Sequence, residues 1–182
     1  MPPQPSYDIF FTGPDDDPRH NCVMIGFLDD TLRRPFYLSF ETPDIVTSET
    51  VTTVYRDNRI QVASFEWTAK NYMGLATIAG KKTPMVNLVQ PGTSPNARKF
   101  VTTDGRTFEW RKAASVPLGF RYDLHSGPNI PSIATFSRFD RPQHTDIGPS
   151  YAYLNCRFDD ELLLVEACLA LCLNRWIDRL HM

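Results

Sequence analysis

The sequence predicts an all-β fold, a closed antiparallel barrel of about twelve strands around one buried C-terminal helix. Two features point there. Strand-like alternation recurs at short intervals up to about Cys156, punctuated by turn residues. After it comes a single apolar stretch, Leu162 to Leu173, broken only by Glu166. A helix that is apolar all round must be enclosed by protein or lie in lipid. At ~1.5 Å per residue the stretch spans about 18 Å, short of the ~30 Å hydrocarbon core, so enclosure is expected and a transmembrane span is not. A sheet closed around the helix would hide its own edges and fill its lumen.

The elements follow in order. Short strands are expected at Tyr7 to Thr12 and Cys22 to Phe27. Phe36, Leu38 and Phe40 alternate with Tyr37, Ser39 and Glu41, a half-buried strand. Val51 to Tyr55 is β-branched and aromatic, Asp57-Asn58 offers a turn, and Ile60 to Trp67 returns. In that return the apolar parity changes between Val62 and Phe65, which predicts a bulge near Ala63-Ser64. Leu75 to Ala79 and Pro84 to Val89 are further strand candidates. Asp104-Gly105 suits a two-residue hairpin turn within Lys99 to Arg111, with Val101 facing Phe108 and Thr102 facing Thr107. Phe108 and Trp110 then share an inner face. Arg121 to Leu124, Ile133 to Arg138 and Tyr151 to Cys156 complete the strands. Gly13 to Arg19, Gln90 to Asn96, Ser126 to Pro131 and Arg141 to Ser150 read as linkers, none long enough to divide the chain. One domain is expected over residues 1–182, with its core at about 7–180. Asp159 is the expected cap of the last helix, and Arg175 and Arg179 lie in its final turns, where the dipole favours cations.

Composition bounds the function. Hydrophobic residues make up 42% and charged residues 22% of the 182, a globular balance. A net charge of -2 provides no overall basic field for nucleic acid, so no nucleic-acid partner is expected. The start, Met-Pro-Pro-Gln-Pro-Ser-Tyr-Asp, has neither a basic nor an apolar region of a secretory signal. Cys22, Cys156, Cys168 and Cys172 form no C-x-x-C pair. Cys168 and Cys172 could be a redox or metal pair, but in an apolar helix they are expected to be small buried residues. A reducing compartment follows, the cytoplasm, with the nucleus or a membrane periphery as variants.

No catalytic motif stands out. His20, His125, His144 and His181 are scattered and lack zinc spacing, and His144 with Asp146 is expected to be solvated. Asp15-Asp16-Asp17 lacks calcium-loop spacing and is expected to be an exposed turn. No Gly-rich phosphate loop or nucleophile elbow is present. No enzyme activity, cofactor or metal is expected. The features with binding chemistry are basic pairs at strand ends, Lys81-Lys82, Arg98-Lys99 and Arg111-Lys112. Gathered on one rim they would hold phosphate by charge-assisted hydrogen bonds. Lys81, Lys82, Arg98 and Lys99 are the candidate anionic-ligand residues. As strand-flanking charges they would instead only block edge pairing.

The chain resembles a fungal family known as domain of unknown function 6593. The resemblance is carried by Thr31-Leu32-Arg33-Arg34-Pro35-Phe36-Tyr37-Leu38, by the hairpin Phe100 to Arg111 (FVTTDGRTFEWR), and by the apolar helix from Leu162. Where many members carry a dense basic cluster after that helix, this chain has Arg175 and Arg179. The resemblance implies a tubby-like fold, a closed twelve-stranded barrel around a hydrophobic C-terminal helix. It implies no catalytic residue. Tubby proteins bind phosphoinositide headgroups, so the leading expectation is a non-enzymatic domain that binds anionic membrane lipid or a phosphate-bearing ligand. The alternative is a protein-interaction or scaffold domain using loops 90–96, 126–131 or 141–150.

Overall fold

The computed structural model describes residues 6–13, 17–27, 35–43, 50–57, 59–68, 72–113, 120–145 and 147–180. Residues 31–34, Asp15, Asp16, Asn58, Asp146 and His181, singled out above, lie outside them.

Among the described residues the chain forms thirteen strands and one α-helix. The strands are β1 (Tyr7–Phe11), β2 (Val23–Phe27), β3 (Pro35–Glu41), β4 (Thr50–Arg56), β5 (Ile60–Trp67), β6 (Leu75–Ile78) and β7 (Lys81–Pro84). They continue with β8 (Gln90–Pro91), β9 (Ala97–Val101), β10 (Thr107–Lys112), β11 (Arg121–His125), β12 (Ala134–Thr145) and β13 (Gly148–Cys156), and α1 (Glu161–Leu180) ends the fold. All strands lie in one antiparallel sheet of order β7-β6-β5-β4-β3-β2-β1-β13-β12-β11-β10-β9-β8. Sequence neighbours pair except β7 with β8, and β1 pairs with β13 to join the first and last strands.

The expected closed barrel is corrected by one missing ladder, because the sheet's two edges, β7 and β8, are not paired with each other. The cause is local. Both strands are short and end in proline, Pro84 and Pro91, which offers no N–H to a partner. A 3-10 turn, Met85–Leu88, occupies the place of the strand expected at Pro84 to Val89. Met85 and Leu88 are buried, and the turn packs against α1 across this seam.

The helix is enclosed, as its pattern predicts. Every residue from Leu163 to Ile177 is buried. Indoles fasten it to the sheet. Trp110 Nε1–H donates to the Ala167 carbonyl at 3.1 Å, and Trp67 meets Trp176 edge-on at 5.1 Å. The helix starts one residue later than expected. Asp160, not Asp159, caps it, its Oδ1 accepting the Leu163 N–H at 3.0 Å. Among the described residues no helix is long and apolar enough to cross a membrane.

Three local differences have simple causes. The bulge in β5 falls at Val62, one residue before the expected position, since Val54 aligns with Ala63 and Tyr55 with Gln61. The β9–β10 hairpin pairs Val101 with Thr107 and Phe100 with Phe108, a register one residue off expectation. Thr102 accepts from Gly105 N–H at 2.9 Å, and Gly105 takes the left-handed position (φ +90). The loop is thus a type I turn closed by glycine rather than a two-residue turn. The stretch 141–150, expected as a linker, lies mostly within β12 and β13, which pair out to Thr145↔Gly148 past a register shift after Arg138.

Candidate functional site

The end of the sheet nearest the helix C-terminus forms an open mouth. Lys112 lies opposite Tyr122, and Tyr122 opposite Phe136, so one row of inward side chains runs across β10, β11 and β12. Period two places Arg138 on the same face as Phe136. On α1, Arg175, Asp178 and Arg179 stand at i, i+3 and i+4, one helical face. These side chains and Phe120 line a cavity of about 340 Å³.

Among the described residues, four cations, Lys112, Arg138, Arg175 and Arg179, line the cavity with one carboxylate, Asp178. That carboxylate is engaged on several sides. Arg98 Nη1 lies 2.6 Å away, Lys112 Nζ 3.0 Å, and Tyr122 O–H donates to it at 2.7 Å. Burial pushes the Asp178 carboxyl up, but bonds from Tyr122, Arg98 and Lys112 outweigh it and hold it below the usual carboxylate range. The Tyr122 hydroxyl is pushed well above its ordinary value by burial and by Asp178. Arg175 lies over Phe136, 4.5 Å from the ring centre, which fixes its guanidinium plane. The apolar wall is Phe120, Tyr122 and Phe136.

The basic pairs of the sequence do not share one rim. Neighbours in a strand face opposite sides of the sheet, so the pleat divides Arg98-Lys99 and Arg111-Lys112. Arg98 turns inward to Asp178 and to Asn174 Oδ1 at 3.2 Å, while Lys99 is exposed on the outer face. Arg111 turns outward to Glu109 at 2.6 Å, while Lys112 enters the mouth. Lys81 and Lys82 lie elsewhere, at the seam between the sheet's edges. The mouth residues missed in the sequence are Phe120, Tyr122, Arg138, Arg175 and Arg179. The Arg175-x-x-Asp178-Arg179 spacing was a readable signal; its convergence with Arg138 was not.

The seam holds a second cavity, about 330 Å³, lined by Lys81, Lys82, Asn87, Gln90 and Glu166 among others. Glu166 Oε1 accepts the Thr103 N–H at 2.7 Å, and its Oε2 is buried without a hydrogen-bond partner. Burial pushes the Glu166 carboxyl up, against the Thr103 bonds, and Asp104 and Asp160 push it the same way. The folded state therefore holds this proton at pH values where the unfolded chain has released it. Stability falls as pH rises from the ordinary glutamate value through the raised one. Glu166→Gln is accordingly expected to stabilise the fold at pH 8, by about 1–3 kcal/mol, and to change little at pH 4. Thermal melts of both proteins at the two pH values check this; equal shifts at both would contradict it.

Among the described residues no three His, Cys, Asp or Glu side chains come together as a metal would require. The four cysteines are buried, and burial raises the Cys156 and Cys168 thiols well above their ordinary value. Asp17, expected to be exposed, is buried and paired with Arg19 Nη2 at 2.5 Å.

Residues 16–170 match the model of a family described as Family of unknown function (DUF6593), and the chain belongs to that family. Neither the curated proteins nor the solved structures give a match.

Proposed function

We propose that this member of the family is a tubby-like, non-enzymatic domain that binds the headgroup of an anionic phospholipid in the mouth at the C-terminal end of α1. The observation that carries this reading is four cations, Lys112, Arg138, Arg175 and Arg179, lining one cavity beside a wall of Phe120, Tyr122 and Phe136. Guanidinium and ammonium groups bind phosphate oxygens through charge-assisted hydrogen bonds. A purely inorganic anion would leave the aromatic wall without a partner; a lipid headgroup and its glycerol base would cover it. Phe120 (51% exposed) at the mouth and Leu180 (47% exposed) at the helix end are apolar groups suited to the membrane interface. The domain then acts at the cytoplasmic face of a membrane.

Co-sedimentation tests this with phosphatidylcholine vesicles, alone or containing phosphatidylserine or a phosphoinositide. Binding is expected on anionic vesicles only, falling away in high salt. Lys112→Glu and Arg179→Glu are each expected to weaken it about tenfold or more, at ~1 kcal/mol for each surface charge removed and as much again for its reversal. Lys81→Glu, at the seam, is expected to leave it nearly unchanged. Competition by a soluble inositol phosphate would place recognition in the headgroup; without it, in the bilayer surface. No binding to any anionic vesicle would refute the proposal.

A further inference from the structure

The seam cavity is a product of the fold, lying where β7 and β8 fail to pair. Its most unusual lining group is Glu166. A carboxylate oxygen that is buried and left without a donor is costly, and natural folds rarely keep one without use. Glu166 is 2% exposed, its Oε1 is held by Thr103, and its Oε2 has no partner. Asp104 and Asp160 add negative potential on that side. The cavity therefore has an acidic pole on α1.

Its other pole is basic. Lys81 Nζ–H donates to the Thr103 carbonyl at 2.6 Å, and Lys82 Nζ lies 2.8 Å from Glu66 Oε1. An ammonium has three donors, so each lysine can serve a ligand while keeping that contact. Between the poles the lining is uncharged, with Thr83, Asn87 and Gln90 as polar groups beside the apolar Ile78, Leu88 and Val101. Gln90 donates to Asn87 Oδ1 at 3.3 Å, and Asn87 to Thr83 Oγ1 at 2.9 Å.

We infer that the seam cavity is a binding site for a small zwitterion of the amino-acid class, its ammonium on Glu166 Oε2 and its carboxylate on Lys81 and Lys82. A simple anion would meet the Glu166 carboxylate. A simple cation would meet two lysines. A neutral polyol would leave both poles uncompensated. About 330 Å³ is at the lower end of small-molecule sites and suits a ligand of this size.

Calorimetric titration of the whole chain tests this, using each of the twenty common L-amino acids and γ-aminobutyrate. Ethylamine, propionate and sorbitol are the single-feature controls. At least one zwitterion is expected to bind with Kd below about 1 mM, and each control at least tenfold more weakly. Glu166→Gln removes the charge with little change of shape, and Lys81→Met alters an exposed side chain, so both variants should fold. Each is expected to weaken the best ligand at least tenfold, while Lys112→Glu leaves it unchanged. The inference is overturned if no zwitterion binds below about 10 mM, if a control binds as tightly, or if neither seam variant weakens binding.

Discussion

Ala170→Asp is expected to abolish the cooperative fold. Ala170 is 0% exposed, midway along a helix buried from Leu163 to Ile177. Its carbonyl accepts from Asn174 Nδ2 at 2.8 Å. A carboxylate placed there is desolvated without a partner, at several kcal/mol for the ion. The added volume in a filled interior costs about 1–3 kcal/mol more. Together these rival the ~5–15 kcal/mol that holds a typical domain folded. The same change at Leu162, 41% exposed at the start of the helix, is expected to be nearly neutral. Circular dichroism melts of both variants check the pair. A cooperative, wild-type-like melt of Ala170→Asp would show that the helix is not enclosed.

Asp178→Asn is expected to weaken the fold and strengthen anion binding together. The carboxylate is the shared counter-charge of Arg98 and Lys112 and the acceptor for Tyr122. Breaking such a group strands the remaining charges, at about 3 kcal/mol, the lower end for buried pairs because Lys112 is partly exposed. The same change leaves the mouth one negative charge poorer, and binding to anionic vesicles is expected to tighten about tenfold. The folded Asp178 pKa lies below its unfolded value, so its contribution is complete above about pH 4 and is lost as pH falls through the lowered value. The stability gap between wild type and variant should therefore be full at pH 7 and shrink in acid. Urea unfolding at pH 7 and pH 2.5 measures it. A gap independent of pH, or weaker vesicle binding by the variant, would contradict this role.

The interior was far more legible in the sequence than the sites. An all-round apolar helix has one solution in water, enclosure, and the alternation of Phe36, Leu38 and Phe40 fixes which face packs on it. The bulge at Val62 could be read because a parity change cannot be hidden inside a strand whose face is buried. Edges were less legible. Lys81–Pro84 and Gln90–Pro91 are too short to show alternation, so the unpaired seam had no signal in hydrophobic pattern. The hairpin register turned on whether Thr102 or Thr103 opened the turn, a choice made by backbone geometry at Gly105. Asp159 was expected as the cap where Asp160 serves, because the helix phase presents Asp160 to the Leu163 N–H. The mouth draws Lys112, Tyr122, Arg138 and Arg175 from three strands and the helix, far apart in sequence. Arg98-Lys99 and Arg111-Lys112 looked like patches, yet the pleat sends the members of each pair to opposite faces, while Lys81 and Lys82 both reach the seam at the sheet edge.

The most direct test of the mouth as the binding site is amide hydrogen exchange of the whole chain with and without anionic vesicles, resolved by peptide. Slowed exchange is predicted around Lys112, across 120–122 and 136–138, and in the last turn of α1, with the seam at 81–84 and 102–103 unchanged. Protection confined to the seam, or spread over neither region while the protein is vesicle-bound, would contradict binding through the mouth.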